Sequence, residues 1–476
     1  MRASQGLAGR WRALERDVKI ASAGITILVA GAIAVRAWLI VGYPPAFLGF
    51  GDSHEYVTAA TVGVFHDVQK PAGYPIFLVL MHTFSDRLTF TIVVQHTLGL
   101  ATGLLLYKAV RLTGAPVWLG LIAPAVVFFG GTGLLLEHSL LGDSLFAFIQ
   151  ALGIYAAIRA LWEPGLRWAL VAGLASGASF WVKTVGLSSM VLIAFVLLLG
   201  ASGKGRRRML RSASAAGVAL ALVLGYSLVQ SQVTGYRGYE RQGAWNLYGR
   251  VATFVDCSHF TPPSGTGFLC PAEPLAHRQS EGYYQYARAA PAVMRFGGPA
   301  HAPASANALL EKFSVAAIAH EPLRYAGAIL RSLSFYISPR AGEGYTPQSV
   351  RQALLEAKGA HSIQPAISTY YHHDRGYVGS TSALDFYERH TRIQGLPLVL
   401  LLLLAVIGAP LLPARVRAAA FLFTLTAIGS VTLAAAGNSY DARYGYPAFG
   451  PLAAGAALGA WGIASRLRRA GGQPRR

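Results

Sequence analysis

The chain has 476 residues, of which 53% are hydrophobic and 13% charged, with 41 Lys and Arg against 21 Asp and Glu. Apolar runs of about 20 residues, each about one bilayer core thick, recur along it and exclude a soluble protein. A net charge of +20 would suggest a nucleic-acid partner in a soluble chain. Here the basic residues gather at the ends of apolar runs, as the positive-inside rule expects, and the aromatic–basic interleaving of a single-strand binder is missing.

The first 19 residues hold five basic and two acidic side chains, which predicts a cytoplasmic N-terminus. A first span follows at about Ile20–Val41, too long for a signal-peptide core, with Arg36 near its outer end either snorkelling or facing a site. The chain then enters an outer loop, about 42–89, and a short helix after Pro75 that lies along the surface. Further spans are predicted at Phe90–Tyr107, Val117–Leu136, Leu141–Ala160, Trp168–Val182, Val185–Leu199 and Ala213–Val233. Residues 234–392 are rich in Tyr, His, Pro and Gly and lack a 20-residue apolar run, so they form an extracytoplasmic segment. Within it Phe313–Ile337 is amphipathic at helical spacing, suited to a membrane surface. Three last spans follow at Leu396–Leu412, Ala418–Ala436 and Pro447–Ala464, before a basic tail.

These elements predict an all-α polytopic membrane protein of about ten spans with both termini inside. Its regions are 1–233, 234–392 and 393–476. The cytoplasmic segments so assigned carry 21 of the 41 basic residues and three of the 21 acidic ones. Nearly all the excess charge thus falls on one side, a pattern that a one-span error would scramble.

The stretch Phe50–Tyr74 gathers Asp52, His54, Glu55, His66, Asp67 and Lys70 just outside the first span. Asp52 is either a solvated carboxylate or a base held near a reacting hydroxyl. Glu55, one turn on, could share a proton or a metal with it; His54 and His66 are supporting candidates. Lys70 precedes the rigid turn Pro71–Pro75 and either clamps a phosphate or anchors a helix at the headgroups. Lys183 sits in a short outer turn, as a second phosphate contact or a snorkelling lysine. The outer hairpin EHSLLGDS holds Glu137 and Asp143, the latter either capping the fourth span or serving the site. At the last outer turn Arg443 has the same two readings, a salt pair with Asp441 or a guanidinium for substrate phosphate. Cys257 and Cys270, the two cysteines of the chain, lie close together outside the cytoplasm, where such a pair forms a disulfide. Neither a CxxC spacing nor another ligand set indicates a metal, and no cofactor is called for.

An N-in first span, an outer loop with an early Asp, a Lys-Pro-x-x-Tyr turn and an outer E-x5-D-S hairpin resemble the GT-C superfamily of membrane glycosyltransferases. Within it, the chain is similar to the protein O-mannosyltransferase and aminoarabinose transferase group. The likeness covers about residues 20–200, touches Arg443–Pro447 and says little about 234–392. It implies a GT-C-like bundle in the plasma membrane that takes a sugar from a polyprenyl-phosphate donor on the outer face and inverts the anomeric centre. Asp52 then matches the loop's catalytic acid and Lys70 the lysine on the lipid phosphate, with Glu137, Asp143 and Lys183 at matching positions. Ser53 stands where related chains have a second acid. The implied partners are the lipid donor, membrane lipids and a glycan, lipid or protein acceptor. The rival reading is a transporter or lipid flippase, which would place ionisable groups at mid-membrane and repeat its halves.

Overall fold

The computed structural model describes residues 2–48, 52–65, 69–200, 205–236, 238–300, 302–338, 364–372 and 374–470. Among them secondary structure is helical apart from one isolated parallel bridge between Phe47 and Ser139. In chain order the helices are α1 (Arg2–Gly42), α2 (Asp52–Val62), α3 (Gly73–His82), α4 (Leu88–Leu112), α5 (Ile122–Phe129), α6 (Gly131–Glu137), α7 (Asp143–Trp162), α8 (Arg167–Val182), α9 (Leu187–Gly200) and α10 (Gly205–Thr234). The outer segment adds α11 (Gln242–Ala252), α12 (Glu281–Tyr286), α13 (Pro291–Phe296), α14 (Ala304–His320), α15 (Pro322–Ile337), α16 (Gln364–Tyr370) and α17 (Ser382–Thr391). The last three are α18 (Leu396–Gly408), α19 (Ala414–Gly437) and α20 (Tyr446–Ala470).

The chain is a multi-pass membrane protein. Among the described residues seven helices are long and apolar enough to cross a bilayer, and the bent pair Val117–Phe129 with Gly131–Glu137 makes up to eight. All ten expected spans exist as helical segments, but three differ from a plain crossing. The third breaks at Gly130, where the two halves meet at 55°, because three glycines within four residues weaken the helix and let it pack closely. A Cβ at Gly133 would lie 2.6 Å from the Tyr446 ring of α20. The fifth and sixth, α8 and α9, are short helices joined by the 3₁₀ turn Thr184–Gly186. The amphipathic stretch Phe313–Ile337 is likewise two helices, divided at Glu321, because Pro322 disfavours the helical conformation of the residue before it.

The outer segment is not one unit either. Residues 244–317 build their own core from Trp245, Tyr248, Leu310 and Phe313, with Cys257 and Cys270 packed against it as a disulfide. In contrast, Ile367 of α16, Tyr371 just after it and Leu384 of α17 belong to the core under the first outer loop. The Tyr377 backbone N–H there donates to the Ala46 carbonyl at 2.8 Å.

Small residues bring helices of the bundle into backbone contact, as apolar solvent favours. Gly459 of α20 lies against the Leu404 backbone of α18 so closely that any Cβ would collide. The same device aligns the site. A Cβ at Gly73 would sit 2.5 Å from the Trp181 carbonyl, so the start of α3 rests directly on the end of α8. That contact sets Lys70 beside the turn that carries Lys183.

Candidate active site

Pro44 and Pro45 end α1, since proline stops a helix and the residue before it turns extended. The extended chain then pairs with the hairpin after α6: Phe47 N–H donates to the His138 carbonyl at 2.9 Å and Leu140 N–H to the Phe47 carbonyl at 3.0 Å. Ser53 Oγ, at the start of α2, donates to the Leu140 carbonyl at 3.0 Å. Asp52 is thereby fixed at the N-terminus of α2, where free backbone N–H groups favour negative charge.

Two cations from distant parts of the chain converge on Asp52. Lys70 Nζ lies 3.0 Å from Oδ1 and Arg443 donates to Oδ2 at 2.7 Å. Burial alone would raise the Asp52 carboxyl, but the charges of Lys70 and Arg443 outweigh it and hold the group well below the usual carboxylate range. Burial would lower Lys70, but Asp52 and then Glu55 hold it charged well above the usual ammonium range. Lys70 itself is held by its loop. The Ala72 N–H donates to Tyr226 Oη of α10 at 3.1 Å, and Gln230 of the same helix donates to the Phe65 carbonyl at 3.1 Å.

A second ion pair stands beside the first. Lys183 Nζ, in the extended turn after α8, is 2.5 Å from Asp143 Oδ1. Asp143 is the first residue of α7 and does not cap it; Gly142 holds the cap position. Tyr444 lies between the pairs, its ring centroid 5.7 Å from Lys183 Nζ and 5.3 Å from the Arg443 guanidinium carbon. Arg443 is aimed by Asp441, which accepts from the Arg443 backbone N–H at 3.0 Å and starts the 3₁₀ turn Ala442–Gly445.

Asp52, Lys70, Lys183 and Arg443 all line one cavity of about 380 Å³. Its wall also includes Tyr56, Glu240, Asn246 and Tyr444, which sequence reasoning did not single out as site residues. Glu240 follows a Tyr-rich stretch with no apolar frame to fix its direction; in the fold it accepts from Thr184 Oγ1 at 3.0 Å, and burial raises its carboxyl above the usual range despite Lys70. Tyr444 was adjacent to a named residue, and only the packing shows its ring between two cations.

The other expected residues separate. Glu55 reaches Lys70 at 3.6 Å but does not line the cavity, nor does His54. His66 lies outside the described residues. Glu137 does not face outward. It is fully buried behind the site, where Arg36 donates to its Oε1 at 2.8 Å, so Arg36 neither snorkels nor enters the site. Among the described residues no three His, Cys, Asp or Glu side chains are grouped to hold a metal, and Asp52 and Asp143 each already face a cation.

A second cavity, of about 310 Å³ and almost wholly apolar, lies on the far side of the Arg443 turn between α15, α18, α19 and α20. Leu333, Tyr336, Leu398, Val431 and Leu452 line it. Tyr336 Oη donates to the Asp441 carbonyl at 2.8 Å, so a wall residue of this cavity contacts the turn that carries Arg443.

No family model and no curated protein sequence matches this chain. Among solved structures, the crystal structure of ArnT from Cupriavidus metallidurans bound to undecaprenyl phosphate is similar at 15% identity and a TM-score of 0.36. That match covers 93% of this chain and 78% of the other. At that distance the likeness carries no argument about the site.

Proposed function

We propose that the protein is an inverting glycosyltransferase that moves a hexosyl or pentosyl group from a polyprenyl-phosphate donor to an acceptor hydroxyl at the outer membrane face. One observation carries the reading. Three cations and two carboxylates, drawn from residues 52 to 443, converge on a single cavity, and the turn that carries Arg443 stands between it and an apolar one. A lipid phosphate needs that combination of charge and grease.

The phosphate competes with Asp52 for Lys70 and Arg443, and Lys183 adds a third positive charge. Losing cations to the phosphate raises the basicity of Asp52 at the moment a base is needed. The acceptor oxygen attacks the anomeric carbon, its proton passes to Asp52, and the bond from that carbon to the phosphate oxygen breaks. The electron pair leaves with polyprenyl phosphate, whose growing charge the cations stabilise. A single displacement inverts the centre. The polyprenyl chain lies in the apolar cavity, and the segment 234–392 selects among glycan, lipid or protein acceptors.

The test is transfer from a panel of labelled polyprenyl-phosphate sugars in membranes holding wild type or Asp52→Asn. Transfer by wild type and not by the variant supports the reading; equal turnover sinks it. The transporter reading draws on the buried Arg36, His96, Glu137 and His138, the kind of cluster that moves protons in carriers. Neither of the two large cavities is lined by any of these residues. Sugar or lipid movement without transfer in the same vesicles would favour it instead.

A further inference from the structure

The cluster behind the site plays no part in the proposed chemistry, and its hydrogen bonds demand a proton that ordinary charge states do not supply. It runs as a chain through the bundle. Glu137 Oε2 is 3.0 Å from His96 Nδ1, His96 Nε2 is 3.1 Å from His138 Nδ1, and His138 Nε2 is 2.7 Å from the Tyr43 carbonyl oxygen. Glu137 and His138 are fully buried and His96 is 2% exposed.

Each of the three gaps needs one hydrogen. A carbonyl only accepts, so His138 must donate to Tyr43. An ionised carboxylate likewise only accepts, so His96 must donate to Glu137. Two neutral imidazoles carry two hydrogens for three gaps. In any choice of tautomers, then, either two lone pairs face each other in a dry interior, at the cost of an unsatisfied polar pair, or a further proton is bound.

Neighbouring groups hold each member of the cluster in place. Glu137 Oε1 is already occupied, by Arg36 of α1 at 2.8 Å and by Tyr446 Oη of α20 at 3.3 Å. The Arg36 charge is met in turn by the Phe128 carbonyl at 3.1 Å, near the negative C-terminal end of α5. Tyr387 of α17 donates to the neighbouring Phe129 carbonyl at 2.9 Å. From α3, Tyr74 donates to Gln95, which donates to the Glu137 and Ser139 carbonyls at 3.0 and 2.7 Å. Gly99 clears the space for the carboxylate, since a Cβ there would collide with it.

We infer that Glu137, His96 and His138 together bind one proton more than an ionised carboxylate and two neutral imidazoles would, and that this proton fixes the two paired segments that lead to Asp52 and Asp143. Burial, and then the neighbouring His96, push the His138 ring down to about 3, which disfavours His138 as the carrier of the further proton. The mechanical link is short. His138 binds the Tyr43 carbonyl through its ring and the Phe47 N–H through its own carbonyl. Leu140, two residues on, holds Phe47 and Ser53, and Asp143 follows at the start of α7. The three are positioning residues; none lines the cavity.

Glu137→Gln separates this from a merely structural role. A glutamine amide supplies the third hydrogen itself and still offers an oxygen to Arg36 and Tyr446, so the chain is complete without the further proton. The measurement is solid-state NMR of the full-length protein in bilayers near neutral pH, with 15N-labelled histidine and 13C-labelled glutamate. His96 and His138 are identified by substituting each with Asn. In wild type, His96 should carry hydrogens on both ring nitrogens, or Glu137 a protonated carboxyl, while Glu137→Gln leaves both rings neutral. Two neutral rings beside an ionised Glu137 in wild type would overturn the inference.

A second readout is the alkaline limb of turnover. Wild type should lose activity at lower pH than Glu137→Gln, because only wild type has that proton to lose. Coincident limbs would refute the link from the proton to the paired segments. The NMR count does not depend on the reaction. Its failure would leave sugar transfer standing, and absence of transfer would leave the count standing.

Discussion

Two groups of charged side chains lie on either side of the 43–47 and 138–140 pairing, built from the same chemistry and put to opposite uses. Lys70 and Asp52, at the cavity, keep 19% and 14% of their side-chain surface exposed. Arg36 and Glu137, behind it, keep 3% and 0%. The inner carboxylate has each oxygen held by a neighbour that cannot leave, and its backbone is held by Gln95. The outer carboxylate also has both oxygens paired, but to two cations at the wall of a cavity large enough for a phosphate and a sugar. Burial makes the first arrangement a fixture; access makes the second exchangeable. The difference is in packing, not in residue type.

Each side of that contrast can be broken separately. Asp52→Asn should lower turnover about 10²- to 10⁴-fold, the usual contribution of a positioned base, more than any fall in folded protein accounts for. Gly99→Ala should do the reverse by forcing the Glu137 carboxylate off its partners. Disrupting a buried pair costs about 3–5 kcal/mol, which would appear as a lowered thermal midpoint and a smaller folded fraction. Arg443→Lys keeps the charge but loses the planar contact with Asp52 and Tyr444, and should cost about 10²-fold in turnover, as removing one oxyanion donor does. Replacing Cys257 and Cys270 with Ser should release about 3 kcal/mol of loop constraint in the outer core, seen as faster proteolysis of residues 244–317.

The pH dependence has opposite signs at two carboxyls of the same cavity. Asp52 is depressed, so its contribution to stability is complete above about pH 4 and is lost only as pH falls further. Glu240 is raised by burial, so its ionisation erodes stability as pH rises past about 4. Glu240→Gln should therefore raise the unfolding midpoint slightly at neutral pH, and the gain should vanish in acid.

The outer half of this contrast was largely legible in the sequence. Charge sorting between the two faces placed Asp52, Lys70, Lys183 and Arg443 on one side without any contact information, and the fold brings those four to one cavity. The disulfide followed from having two cysteines on that side. The inner half was not legible, because Arg36 and Glu137 are 101 positions apart and each sits at the end of an apolar run, where snorkelling is the ordinary expectation. Glu240 was missed because nothing periodic surrounds it. The bend at Gly130 could have been weighed from its glycines, and the break before Pro322 from proline alone. The short α8 and α9 fall where the apolar pattern placed the fifth and sixth spans.

The most direct test of the exchangeable outer pair is the affinity for polyprenyl phosphate, measured by calorimetry on wild type and Asp52→Asn in the same lipid nanodiscs. If the phosphate and Asp52 compete for Lys70 and Arg443, removing the carboxylate charge should tighten binding, by about tenfold for each 1.4 kcal/mol of lost competition. Weaker binding by the variant would mean that Asp52 helps to hold the phosphate, and would contradict the account.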